Sequence, residues 1–191
     1  MNYFRWLIAS ALLVNASSAW CTQTSKPALL NNGGFEIKDD ANLQHPAIWS
    51  IDGIGPVYAL DASVHKKGRY SLRIGFKEGA NSEGYSGMIQ KISAAPFAGK
   101  RIVISAYLRR SSEKSIVGIW ALLSAANNKR LQYINSYEQP ILNGSKWSLH
   151  QLEIEVPAEA TSLALGAAIY ESNGEMWVDE MSIREVKNHR Q

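Results

Sequence analysis

Two short acidic segments, one near each end of the chain, hold the residues with the clearest chemistry. One reads NNGGFE and ends at Glu36, and the other reads MWVDEM and contains Asp179. On a strand, Asp179 shares its side-chain parity with Trp177 and Met181, so it is predicted to point into the core. A buried carboxylate needs a partner. Glu36 becomes that partner only if a cation lies between the two carboxylates.

The sequence contains no arrangement that is typical of catalysis. Positions 111–114 match the S-x-x-K spacing, but that motif requires a helix and this stretch is predicted to be a turn between strands. The histidines have no zinc-like spacing. A glycosidase needs two facing carboxylates, and no sequence feature pairs the available acids, which are Asp52, Asp61, Glu138 and Glu171. We therefore expect a protein that is not an enzyme.

The amino-terminal residues predict export. Within positions 1–19, Arg5 precedes an apolar stretch that is too short to span a bilayer comfortably, and small residues lead to a cleavage site after Ala19. An uncleaved anchor is the alternative. Without Arg5 the chain keeps 19 bases and 17 acids, a net charge of +2, which does not favour nucleic-acid or membrane binding. We expect a periplasmic or secreted protein with no integral membrane segment after cleavage.

Cys21 is the only cysteine, so an internal disulfide is excluded. The stretch around it faintly resembles a bacterial lipoprotein signal, although Trp20 is larger than the residue such signals prefer. Lipidation at Cys21 and a cysteine in a loose tail both stay open.

The remaining chain predicts an all-β fold. Apolar and polar residues alternate over positions 70–76, 102–109, 117–123 and 163–170, with polar turns between them. The strand after Trp147 changes parity, which predicts a bulge near His150. Residues 172–174 predict a tight hairpin between the last two strands. We divide the chain into a signal peptide (1–19), a linker (20–29), an antiparallel β-sandwich or barrel (30–187) and a tail (188–191).

The order of several motifs resembles a known fold family. The motifs are NGGFE (32–36), a following Trp49, GRYSLRI (68–74), GKRIVISAYLR (99–109), the strand from Trp147 to Pro157, and WVDEMSI (177–183). Over residues 30–186 this order resembles galactose-binding-like jelly rolls, especially the carbohydrate-binding modules attached to bacterial cellulases and xylanases. The resemblance implies an antiparallel jelly-roll β-sandwich and does not by itself imply sugar binding.

In that family a structural calcium often lies between the opening Glu and the closing Asp, which here are Glu36 and Asp179. Calcium takes six to eight oxygens, so backbone carbonyls would supply the rest. The alternative is that each carboxylate pairs with a nearby base, such as Arg73 or Lys67, or with backbone amides.

The resemblance also directs attention to the second parity of the strands. Sugar sites combine aromatic faces with planar polar groups. The candidate ligand-binding residues are Tyr107, Arg109, Trp120, Tyr137, Glu138 and Tyr170, with Tyr133 and Asn135 as further candidates at the rim. Glycine and alanine beside Trp120 and Tyr170 predict an open, shallow surface. For Trp120 the alternative is a core position between the sheets.

We expect an exported, non-catalytic protein that binds a polysaccharide or glycan, with calcium as a structural ion. The alternative is an exported accessory domain that uses the same fold to bind another protein. A polysaccharide-active enzyme is the third possibility.

Overall fold

The computed structural model describes residues 30–53, 56–76, 84–139, 146–170 and 174–186. The predictions for the signal peptide, the linker, Cys21, Glu171 and the tail lie outside these ranges. Among the described residues, no helix is long and apolar enough to cross a membrane. Helical structure there is confined to two 3-10 turns, Ala95–Phe97 and Ala126–Asn128.

Two five-stranded antiparallel sheets form the fold. The first sheet contains, in spatial order, β1 (Ser50–Gly53), β4 (Tyr85–Ser93), β9 (Ser162–Tyr170), β6 (Ile116–Ser124) and β7 (Arg130–Asn135). The second sheet contains β2 (Pro56–Asp61), β3 (Ser71–Phe76), β10 (Glu175–Glu185), β5 (Arg101–Arg110) and β8 (Ser148–Glu155). The predicted all-β, antiparallel β-sandwich of jelly-roll type is confirmed.

The core lies between the sheets, where each strand contributes alternate apolar residues. Its largest fully buried side chains are Phe35, Phe97, Leu72, Ile74, Met88, Ile102, Ile104, Leu108, Ile119, Leu123, Ile154 and Leu163. Strand β9 is buried along nearly its whole length, on both parities. At β9 the outer side of the first sheet is therefore covered, as its inner side is.

Glu36 does not lie on a strand. Asn32 and Phe35 have positive φ angles of 53° and 58°, which interrupt an extended backbone. The Asn32 side chain fixes the segment, because its Nδ2 donates to the Ile37 carbonyl at 2.7 Å and its Oδ1 accepts the Ile37 N–H at 2.9 Å. Met181 N–H donates to the Gly33 carbonyl at 2.8 Å and ties the segment to β10.

The predicted direction of Asp179 is wrong. Strand β10 has a register shift between Asp179 and Ser182, where Glu180 has a φ of 50°. Such a bulge exchanges the faces of the residues on its two sides. Trp177 and Asp179 therefore face outward, whereas Met181 joins the core. Asp179 is nevertheless fully buried, under the backbone of residues 66 and 67.

Two local predictions were also wrong. Strand β8 pairs with β5 in unbroken register, so there is no bulge near His150, and Leu149 instead faces solvent with 50% of its surface exposed. Strands β9 and β10 belong to different sheets, so they are not the paired strands of a hairpin. Residues 171–173 between them lie outside the described ranges.

Candidate functional site

Five aromatic side chains lie on the outer side of the first sheet. They are Tyr85 on β4, Trp120 on β6, Tyr133 on β7, Tyr137 just after β7, and Tyr170 on β9. Cross-strand pairing aligns Tyr85, Tyr170 and Ile116 in one row, and places Gly166, Trp120 and Asn135 in another. We call these five side chains the aromatic face.

Glycines beneath the rings let the aromatic face lie close to the backbone. A Cβ on Gly118 would lie 2.5 Å from Tyr137 Cδ1, and one on Gly166 would overlap the Met88 carbonyl oxygen and lie 3.1 Å from Trp120 Cζ2. The Tyr137 ring therefore excludes a side chain at Gly118, whereas the backbone of β4 excludes one at Gly166. The prediction of an open, shallow surface is therefore wrong, because the rings themselves occupy the space above the small residues.

The rings form a connected layer. Trp120 and Tyr133 are stacked with centroids 6.4 Å apart, and Tyr137 meets Tyr170 edge-on at 4.7 Å. Tyr85 is tilted against Tyr170 at 5.6 Å. Each of these centroid separations falls in the range in which aromatic pairs attract each other.

The phenol groups of this layer are linked by hydrogen bonds. The Tyr170 hydroxyl donates to the Tyr137 hydroxyl at 3.0 Å, and the Tyr133 hydroxyl lies 3.4 Å from the same oxygen. The Tyr85 hydroxyl donates to Asp52 Oδ1 at 3.0 Å. Burial, more than any neighbour, raises the pKa of Tyr85 to about 12 and also raises the pKa values of Tyr137 and Tyr170. The phenols therefore stay neutral at physiological pH and are available as donors and acceptors.

The side chains of the aromatic face differ in how much of their surface is exposed to solvent. Trp120 is only 7% exposed, and it packs on the outer side of the sheet rather than between the sheets. Tyr133 is 37% exposed, with the Arg130 guanidinium 5.0 Å from its ring centroid. Tyr133 and the half-buried tyrosines thus offer ring surface to a ligand, whereas Trp120 mainly holds them in place.

Tyr107 and Arg109 do not join this surface. Both lie on β5 of the second sheet, on its outer side, so the sandwich separates them from Trp120 and Tyr170. Lys66 Nζ lies 4.7 Å from the Tyr107 ring centroid, and the Arg109 guanidinium lies 5.4 Å from the Trp177 ring centroid. The expectation of one shared binding surface was therefore wrong, and a ligand role for Tyr107 and Arg109 stays a separate prediction.

Glu138 lies beside the aromatic face in the turn that follows β7, and its side chain is exposed. Together with Arg110, Glu113, Lys114, Ile116 and Tyr137 it lines a groove of about 330 Å³. The groove has two acids and two bases, so it does not select a ligand by charge. It extends the aromatic face at the end that contains Tyr137 and Ile116.

Backbone amides surround the carboxylates of the opening and closing segments. Asp179 Oδ2 accepts the N–H groups of Lys66 and Lys67 at 2.7 and 3.0 Å, and its Oδ1 accepts that of Glu180 at 2.7 Å. Burial outweighs these bonds and raises the pKa of Asp179. This is the amide alternative for Asp179 that the sequence left open.

Glu36 has the same kind of partner. Its Oε1 accepts the N–H groups of Arg69 and Tyr70 at 2.8 and 3.0 Å. The loop of residues 66–70 thus supplies N–H groups to both carboxylates. Across the described ranges, no group of three or more His, Cys, Asp or Glu could hold a metal. Calcium takes six to eight oxygens, and the N–H groups that contact Glu36 and Asp179 are not ligands of this kind.

Of the aromatic face, Tyr85 was not among the sequence candidates, and Tyr133 was a candidate only at the rim. Tyr85 shares its parity on β4 with Gly87 and Ile89, and this alternation is the signal that predicts an outward position. For Tyr133 the proximity to Tyr137 in sequence was the available signal. Neither pattern reveals that strands β4 and β7 belong to the sheet that contains Trp120.

Comparisons with known proteins support the fold. No family model matches the sequence. The structure is similar to the CBM22-1 xylan-binding domain of Paenibacillus barcinonensis Xyn10C, with TM-score 0.55, 18% identity, and coverage of 81% of this chain and 92% of that one. It is also similar to TmCBM61, solved with β-1,4-galactotriose, with TM-score 0.54, 11% identity, and coverage of 83% and 99%. At these identities the similarity establishes the fold.

Two further matches involve much longer proteins. The active domain of tailspike protein 4 from bacteriophage CBA120 matches with TM-score 0.63 and 10% identity, over 83% of this chain and 21% of that one. An uncharacterised HTH-type transcriptional regulator of Bacillus subtilis, YbfP, is 22% identical over 102 residues, which are 53% of this chain and 34% of the regulator. The chain thus spans about a third of the regulator's length and about a fifth of the tailspike's.

The contact between Tyr137 and Gly118 generates a stability prediction. Gly118→Ala is expected to lower the free energy of unfolding by about 1–3 kcal/mol, because the added methyl group displaces the Tyr137 ring. In a Tyr137→Ala background the same change should cost less, since the ring is gone. Urea denaturation of the four proteins measures the coupling, and an equal cost in both backgrounds would contradict the contact.

Proposed function

We propose that this protein binds a polysaccharide or glycan, without catalysis, on the aromatic face of its first sheet. The observation that carries the proposal is the connected layer of Tyr85, Tyr133, Tyr137 and Tyr170, held on the sheet by Trp120. Ring surface suits the C–H groups of a sugar, and neutral phenol groups suit its hydroxyls. The fold shared with a xylan-binding domain and a galactotriose-bound module supports the proposal.

In this proposal the candidate residues have different roles. Tyr137 and Tyr170 contribute the linked hydroxyls, Tyr133 contributes the most exposed ring, and Glu138 lies at the groove that continues the surface. A non-catalytic role agrees with the chemistry, since stacking and hydrogen bonding bind a sugar without attacking it. The second candidate, binding to another exported protein, shares the same surface, because aromatic residues are also enriched in protein interfaces.

Paired tyrosine substitutions on the two sheets test the proposal. Tyr133→Ala and Tyr170→Ala should each weaken glycan binding by about tenfold, the equivalent of about 1.4 kcal/mol. Tyr107→Ala is the matched control on the opposite sheet and should leave binding unchanged. Affinity electrophoresis in soluble xylan and calorimetry with β-1,4-galactotriose are the measurements, preceded by a glycan array that identifies further ligands.

Three results would count against this function. The first is the absence of wild-type binding across the glycan array. The second is an equal loss of affinity in Tyr107→Ala, which would move the site to the second sheet. The third is a stoichiometric protein partner whose binding depends on Tyr133, which would favour the accessory domain.

We also propose a calcium ion at Glu36 and Asp179, although hydrogen bonds from backbone amides already attach both carboxylates to the loop of residues 66–70. If the ion binds there, calcium raises the melting temperature, EGTA reverses the rise, and Glu36→Gln abolishes it, because a ligand of the folded state stabilises by mass action. Asp40→Asn is the control, since Asp40 is an exposed acid of the same segment. An unchanged melting temperature at millimolar calcium would leave the amides as the sole tie.

We also propose that the protein is exported, on the basis of the signal-like residues 1–19. Expression with this segment intact should yield a periplasmic or extracellular chain that begins at Trp20. Amino-terminal sequencing of that fraction is the measurement. A protein that stays in the cytoplasm with Met1 retained would contradict export.

A further inference from the structure

The turn at residues 136–139 connects the two sheets. It follows β7 of the first sheet and reaches β8 at the edge of the second. At its start, Ser136 Oγ lies 2.9 Å from His150 Nδ1 and also accepts the Ile119 N–H at 3.0 Å. One buried hydroxyl thus joins β6 of the first sheet to β8 of the second.

The other end of the turn is attached to the same strand. Gln139 Nε2 donates to the Gln151 carbonyl at 2.8 Å, and Gln139 Oε1 accepts the Gln151 N–H at 3.4 Å. The side-chain amide therefore pairs with the edge of β8 much as a neighbouring strand would. Gln139 N–H also donates to the Ser136 carbonyl at 3.0 Å, which closes the turn.

Tyr137 lies between these two attachments. Its ring covers Gly118, and its hydroxyl accepts from Tyr170 and lies within reach of Tyr133. The position of this ring is therefore fixed from two sides, by the aromatic face and by the attachments of the turn to β8. A substitution that breaks one of these attachments should therefore shift the Tyr137 ring without changing any side chain of the aromatic face.

His150 is the buried part of the attachment. Its side chain is 1% exposed, Nδ1 faces Ser136, and Nε2 has no hydrogen-bond partner among the described residues. The described residues around it carry no charge: Ala106 lies opposite on β5, Ser148 and Leu152 share its face on β8, and β6 presents the Ile119 amide. The Ser136 hydroxyl already accepts one N–H, so its hydrogen is free to be donated to a neutral imidazole. A protonated ring would instead present a second donor to the same oxygen and a charge with no counter-ion.

We propose that His150 is a positioning residue, which through Ser136 fixes Tyr137 in the geometry that binds the ligand. Acid conditions then protonate His150, and this protonation releases the ligand. The proposal rests on the proposed glycan binding for its ligand, but the positioning of Tyr137 is testable without one. Burial lowers the pKa of His150 from 6.5 to about 4, so the folded protein takes up this proton only under acid conditions.

The sign of the pH effect follows from that shift. The unfolded chain takes up a proton near pH 6.5, while the folded chain resists it down to about pH 4. The contribution of neutral His150 to stability is therefore complete above pH 6.5 and is lost as the pH falls towards 4. His150→Gln keeps a neutral acceptor that does not titrate and should lack this dependence. His65→Gln is the matched control, because His65 is exposed on a loop of the second sheet.

Two readouts test the proposal in the full-length protein. The first is ligand-free: the NMR signals of the Tyr137 ring and of the Gly118 amide should shift in Ser136→Ala at pH 7, and in the wild type between pH 6 and 4. The second is affinity for soluble xylan or β-1,4-galactotriose, which should fall about tenfold in Ser136→Ala at pH 7. Wild-type affinity should fall between pH 6 and 4, as it should in His65→Gln, whereas His150→Gln should bind equally at both pH values.

The two readouts separate the failure modes. Unchanged Tyr137 and Gly118 signals in folded Ser136→Ala would overturn the positioning role, whatever the ligand result. Shifted signals with no binding of any glycan by the wild type would leave the positioning role intact and overturn the proposed function. A His150→Gln variant that loses affinity with acid as the wild type does would overturn His150 as the sensor.

Discussion

The close contact between aromatic rings and glycine backbone on the outside of the first sheet determines much of this structure. The Tyr137 ring occupies the space of a side chain at Gly118, and the Trp120 indole packs with Ala164 and Ala168 of β9. Because this aromatic cluster covers its outer residues, strand β9 is buried on both faces, although it belongs to a two-layer fold. The aromatic face is therefore packed against the sheet like a third, thin layer. Its rings are held in place before a ligand binds, which reduces the loss of side-chain entropy on binding.

The second sheet has a different task. Its outer side holds the Asp179 carboxylate under the amides of residues 66 and 67, and the same loop supplies amides to Glu36. An ionised carboxylate that accepts several N–H groups joins segments that are distant in sequence. The opening segment, the loop before β3 and the bulge of β10 meet at this point. The two sides of the sandwich thus separate the closure of the fold from the proposed binding of a ligand.

Period-two alternation was sufficient to predict strands β3, β5, β6 and β9, because burial of alternate side chains is a local property of a strand. It could not show that Tyr107 and Trp120 lie on opposite sides of the molecule. Parity says that two residues on one strand share a face, but the sheet to which a strand belongs depends on pairings between distant segments. The prediction of one binding surface failed for this reason, whereas Trp120, Tyr137 and Tyr170 came together because β6, β7 and β9 are neighbours.

The other differences between the predicted and the observed structure have local causes that the amino-acid pattern does not show. The bulge at Glu180 reverses the parity of Asp179 relative to Met181, and nothing in the apolar pattern marks the reversal. The opening segment alternates poorly because side-chain bonds of Asn32 replace a strand ladder. The hydrogen bond between His150 and Ser136 joins a strand of the second sheet to the turn after β7, so it forms only when both sheets are in place. Each of these features depends on tertiary contacts that a single sequence does not display.

Amide chemical-shift mapping with a glycan selected on an array locates the binding surface. The largest shifts should cluster on β4, β6, β7 and β9 and in the 136–139 turn, with Tyr133 and Tyr170 among them. Shifts centred instead on Tyr107, Arg109 and Trp177 would place the ligand on the second sheet and overturn binding at the aromatic face.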